Sequence, residues 1–200
     1  MNDSIINPKK FLIKFYQKII SNPNGSESFL KDEKFKRDRE YWAISMVLIG
    51  LNKMFGTCWW IKESDQDPPD GLAITYKIEE ESNILIKNTI PIEVLFVPKY
   101  IKKQNWNERL SDEENIFNFI NEKKFENKAY EPSTHLIIYF NLTLKNFSFP
   151  KLCSLITNAS PKFKEIWCIA ALDPLLKKCL IAQLYPDIRA TTINIDEYLL

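Results

Sequence analysis

Two almost unbroken apolar runs near the C-terminus, Ile166-Trp167-Cys168-Ile169-Ala170-Ala171-Leu172 and Cys179-Leu180-Ile181-Ala182-Gln183-Leu184-Tyr185, limit what this chain can fold into more than any other feature. Runs with no polar alternation do not suit a sheet that keeps one wet face. They suit central strands covered on both sides, and covering both sides takes helices. Residues 135–140 have the same character. The expected fold class is therefore α/β, a mixed central β-sheet flanked by helices. With 200 residues, 45% of them hydrophobic, the chain can fill the core of one domain and falls short of two. Residues 1–200 are read as a single domain.

Apolar residues at 11, 12, 15, 16, 19 and 20 make a helical stripe that ends in the loop Ser21-Asn22-Pro23-Asn24-Gly25-Ser26. A longer helix is expected from near Phe29 or Asp32 to about Phe55, stopped at Gly56, where a left-handed cap costs little. Strand material follows at residues 57–61, 71–78, 84–86 and 89–97, with an acidic hairpin tip at Glu79-Glu80-Glu81-Ser82 and Pro98 limiting the last strand. Ser111-Asp112-Glu113-Glu114 is a capping-box pattern that opens a helix to about Phe125. The strand at 135–140, a short helix near 150–158 and the two apolar runs complete the order α, α, β, β, β, α, β, α, β, β.

Charge and motif exclude several classes of function. Lys and Arg number 27 against 26 Asp and Glu, so no global positive field holds the chain on nucleic acid, and such binding needs a local patch. Lys99, Lys102 and Lys103 with Trp106 are the candidate patch, ammonium groups for phosphates and a ring for stacking on a base. The same stretch also reads as a solvated loop whose Trp106 packs on the next helix. No apolar run approaches the roughly 18 residues of a membrane span, and the N-terminus lacks a leader pattern. Cys58, Cys153, Cys168 and Cys179 have no ligand spacing, so a reduced, cytoplasmic protein with no membrane partner is expected. His135, the single histidine, opens a strand and reads as a packing residue. One histidine assembles no Ser-His-Asp or Cys-His mechanism, and four glycines supply no phosphate-binding loop.

The remaining chemistry lies in acids. Asp70 follows Asp67-Pro68-Pro69, where two fixed φ angles direct its carboxylate to one side of the strand that begins there. Glu93 stands inside Ile90-Pro91-Ile92-Glu93-Val94-Leu95, where a carboxylate is costly unless a cation, a proton or a hydrogen bond compensates it. On neighbouring strands the pair can hold Mg²⁺ or Mn²⁺, whose chemistry is to lower the pKa of water and neutralise a phosphate under attack. Glu40 shares a helical face with Ala43, Ile44, Val47, Leu48 and Leu51 and can face inward, or pair with Lys36 or Arg37 on a solvated rim. Asp65 or Asp67 could instead partner Glu93, and Tyr76 could line the same cleft or fill the core.

A helix with an acid, a hairpin carrying Pro68-Pro69-Asp70, a strand with the isolated Glu93, then a helix and a strand resembles the PD-(D/E)xK restriction-endonuclease-like family. The resemblance covers residues 32–141. It implies an αβββαβ nuclease-like core there, with residues 1–28 as an N-terminal helix and loop and 142–200 as additional strands extending the sheet. It also implies Asp70 and Glu93 as metal ligands, the Val94 carbonyl as a further ligand, Glu40 assisting from the helix, and hydrolysis of phosphodiester bonds in DNA or RNA. The chain departs from the family two residues after Glu93, where a lysine is usual and Leu95 stands. Lys99 keeps the parity but lies about 20 Å along an extended strand, so the amine would have to come from Lys123 or Lys124 on the following helix. The alternatives are a catalytically inactive member of the same fold, serving as a binding or assembly subunit or a homodimer, and a small α/β interaction protein with structural acids.

Overall fold

A computed structural model describes residues 5–21, 29, 32–79, 84–97, 111–126, 130–140, 147–173 and 175–198. They form an α/β fold around one eight-stranded mixed sheet whose spatial order follows the chain, β1 (Ile5–Ile6), β2 (Trp60–Lys62), β3 (Gly71–Glu79), β4 (Ile84–Val97), β5 (His135–Phe140), β6 (Glu165–Ala171), β7 (Lys178–Tyr185) and β8 (Arg189–Asn194). β4, β5 and β6 run parallel, and every other neighbouring pair is antiparallel. The helices are α1 (Pro8–Ile20), α2 (Lys36–Phe55), α3 (Asp112–Ile120) and α4 (Phe149–Asn158). No helix among the described residues is long and apolar enough to cross a membrane.

The apolar runs divide between two cores because successive side chains of a strand point to opposite faces. Val94, Ile137 and Trp167 lie in register and meet α1 and α2, whereas Leu95, Ile138 and Cys168, one step on, meet α3 and α4. α2 is covered all round. Its residues 41–50 are all buried, because the sheet lies on one side and α1 packs on the other, so the apolar stripe expected on one face extends around the helix. At the end of that contact Trp42 donates its indole N–H to the Tyr16 hydroxyl at 3.1 Å.

Several element bounds differ from expectation. α2 begins at Lys36, after a 3₁₀ turn at Glu33–Phe35, not at Phe29 or Asp32. It stops where expected, at Gly56 with φ +64°. The first inner strand is Trp60–Lys62, shorter than residues 57–61 implied at its start and one residue longer at its end. Residues 84–86 and 89–97 are one continuous strand. Pro91 interrupts nothing, because pairing with β5 starts only at Ile92 and the missing N–H removes no bond from that ladder. β1 and β8 were not expected, being short or partly polar, and β8 adds Ile193 to the first core. The helix opened by Ser111 does reach Phe125, but its last turn, Asn121–Phe125, is a wider π-turn. Glu80, Glu81 and Ser82 of the expected acidic tip lie outside the described residues.

Candidate functional site

β3 starts at Gly71, paired with Ile92, while β4 continues to Val97. Extending that register by one step sets Asp70 opposite Glu93, and directly opposed residues share a face. Backbone pairing cannot go further, since the next residue back is Pro69, which has no N–H. The Asp70 carboxylate takes over: its Oδ2 accepts the Val94 N–H at 2.7 Å. The Val94 carbonyl points to that same side, because N–H and C=O of one strand residue face one neighbour. Gly71 lets α2 approach here, as a Cβ on it would stand 2.8 Å from Ile44 Cδ1.

Glu93 is 3% exposed, so its charge needs compensation. Lys124 provides it, its Nζ donating to Glu93 Oε2 at 2.6 Å, with the Glu93 side chain buried and that of Lys124 largely covered. The other oxygen, Oε1, is buried with no hydrogen-bond partner among the described residues. Lys124 sits in the π-turn and reaches across to β4, while its neighbour Lys123 stays exposed and pairs with Glu122 at 2.7 Å. Leu95, at the position where the amine was sought, packs into the second core. The Tyr130 hydroxyl lies 3.2 Å from Lys124 Nζ, and the ammonium also stands 5.3 Å from the centre of that ring. Burial alone would lower the Lys124 pKa, but the bond to Glu93 and its charge outweigh that and leave it raised.

Glu40 approaches from α2. It is 3.9 Å from Lys36, the rim pairing weighed from sequence, and it also interacts electrostatically with Asp70 and Asp67. Burial, then the charge of Asp70, push its carboxyl up to about 7 despite Lys36. Asp70 rises to about 6 through burial and the charge of Glu93, against the Val94 N–H and Lys124. The two raised acids therefore share one cause, negative charge gathered in a partly dry place. No cluster of three or more His, Cys, Asp or Glu side chains at metal-binding spacing occurs among the described residues. A divalent cation here would rest on Asp70 and Glu93 and keep much of its water, a coordination that suits Mg²⁺. The orphaned Glu93 Oε1 fits such an ion.

An open cleft of about 460 Å³ adjoins the acids, running from Asp65, Pro68 and Pro69 to Tyr130 and Glu131. Asp65 belongs to this cleft; Asp70, not Asp65 or Asp67, stands opposite Glu93. Tyr76 is exposed and fills no core. His135 is buried, with Nδ1 3.3 Å from Glu165 Oε2 and Nε2 unpartnered among the described residues. Lys99, Lys102, Lys103 and Trp106 lie outside the described residues. Among the described residues, sequence reasoning passed over Tyr130 and Glu131, and the signal for Tyr130 is an aromatic six residues after Lys124, ahead of the Glu131-Pro132 turn. No family model matches the chain, and neither a curated protein nor a solved structure is significantly similar to it.

Proposed function

We propose that this chain is a metal-dependent phosphodiesterase of the PD-(D/E)xK nuclease-like type, in which Lys124 from the helix side stands in for the usual strand lysine. The observation that carries it is the contact of Lys124 Nζ with Glu93 Oε2 beside Asp70, with Glu93 Oε1 left unpartnered. The element order α2, β2, β3, β4, α3, β5 agrees with the αβββαβ order of that family.

Asp70, Glu93 and the Val94 carbonyl would hold Mg²⁺ or Mn²⁺, which when bound supplies a lowered pKa for water and charge neutralisation on the phosphate. Lys124 is kept charged by Glu93. Of its three N–H donors, Glu93 and Tyr130 engage two, and the third, with no partner among the described residues, is available to a water or a phosphoryl oxygen. Glu40, with a pKa of about 7, can take a proton at neutral pH, the property a general base needs. The reading carries DNA or RNA as partner and a cytoplasmic setting, where the buried free thiols Cys153, Cys168 and Cys179 persist.

Calorimetric titration of Mn²⁺ into wild type should give a binding isotherm that Asp70→Ala abolishes, and identical curves would remove the metal site. Cleavage of single- and double-stranded DNA and RNA should require Glu93 and fall at least about a hundredfold in Lys124→Met. The Lys124–Glu93 pair is closed and largely shielded from water, which also suits an inactive member of the fold used for binding or assembly. Metal binding without any cleavage would select that second reading.

A further inference from the structure

The cleft beside the acids differs in chemistry from a phosphate groove. None of the described residues lining it is cationic, and two carboxylates, Asp65 and Glu131, stand in it. A sugar-phosphate backbone laid along such walls meets like charge. Yet the cleft joins the proposed reaction centre at two points. Pro69 is bonded to Asp70, and Tyr130, also lining the cleft, holds Lys124 through its hydroxyl at 3.2 Å. Whatever occupies the cleft is thus held next to the carboxylates without itself being the charged part of a substrate.

We infer that the cleft receives a single unpaired nucleobase bearing an exocyclic amino group, so that the substrate of the proposed phosphodiesterase is single-stranded or locally unpaired nucleic acid. The inference rests on the phosphodiesterase reading for what the neighbouring phosphate undergoes, and on the cleft alone for what is bound. Its volume, about 460 Å³, lies within the range of roughly 300–1,000 Å³ usual for small-molecule sites. The Tyr130 ring, Leu72 and the rings of Pro68, Pro69 and Pro91 offer apolar surface for a base face. Asp65 and Glu131 offer acceptors that match the amino group of cytosine, adenine or guanine and find no donor there on thymine. In a duplex those base edges are occupied by pairing and the faces by stacking, so only an unpaired base can present both.

The test is fluorescence anisotropy of the full chain, in EDTA so that nothing is cleaved, with labelled single-stranded oligocytidine, oligothymidine, an oligocytidine carrying abasic sites, and a duplex of the same length. Oligocytidine should bind at least about tenfold more tightly than the abasic strand and the duplex, and measurably better than oligothymidine. Asp65→Asn should narrow the difference between cytidine and thymidine. Gln66→Trp, which fills the cleft from an exposed position, should abolish base-dependent binding while thermal unfolding stays that of wild type. Equal binding of the abasic strand or the duplex, no binding of any strand, or base-dependent binding indifferent to Gln66→Trp would each overturn the inference. Base-dependent binding with no Mn²⁺-supported cleavage would uphold the cleft and reject the phosphodiesterase. Glu93-dependent cleavage with no preference for unpaired bases would do the reverse.

Discussion

Glu93 illustrates how one residue sets the terms for its neighbours. Because it is buried and compensated by Lys124, removing the amine leaves an unpaired charge in the interior. Lys124→Met should therefore cost about 3–5 kcal/mol at neutral pH, read from urea unfolding, and adding Glu93→Gln should recover part of that loss. Asp70 acts in the opposite sense. Its folded pKa of about 6 exceeds the ordinary 3.8, so in metal-free wild type the folded state binds the proton more tightly. Stability then falls as pH rises from about 4 to 6. Asp70→Asn keeps an acceptor for the Val94 N–H and removes the charge. The variant should match wild type near pH 4 and exceed it by about 1–3 kcal/mol at pH 8, measured in EDTA. His135 titrates the other way: burial holds its pKa below the usual 6.5, so it folds neutral. Its contribution is complete above that value and is lost as pH falls below 6.5, a slope that His135→Leu should remove.

At the scale of elements, the turn after α3 matters most. Ser111 closes the front of α3 with a capping box, its Oγ accepting the Glu114 N–H at 3.3 Å and its own N–H donating to Glu114 Oε2 at 2.7 Å. Ser111→Ala should cost about 1 kcal/mol in chemical denaturation. The rear of the same helix widens into Asn121–Phe125, closed by the Glu126 N–H on the Asn121 carbonyl at 3.0 Å. That widening accompanies a division of labour, Lys124 inward and Lys123 outward. π-turns recur at functional positions, and here one carries the amine of the candidate site. On the opposite side, the early end of β3 after two prolines leaves β4 open toward Asp70, so a short strand and a wide turn together make room for the carboxylates.

The whole molecule is one sheet with a core on each face, and the two cores share every central strand. Damage to one face must loosen the other. Trp42 and Trp167 both lie in the first core, so Ile138→Ala in the second, a cavity of about 2–5 kcal/mol, should shift tryptophan fluorescence and far-UV circular dichroism by the same amount, in one transition. Two separate transitions would show the faces to be independent. Much of this organisation was legible locally. The apolar runs announced buried strands, Ser111 and Gly56 marked helix ends, and the cost of a carboxylate among Ile92, Val94 and Leu95 pointed to Glu93. Such features follow from period, capping and burial, which neighbouring residues express along the chain. Which lysine meets Glu93 did not follow, because Lys124 is 31 residues away and its approach depends on how α3 crosses the sheet and on the width of one turn. Tyr130 joined the site for the same reason, and the partly polar β8 became a strand only because β7 offered it a ladder. Contacts between distant parts of the chain arise from packing, and local pattern carries no record of them.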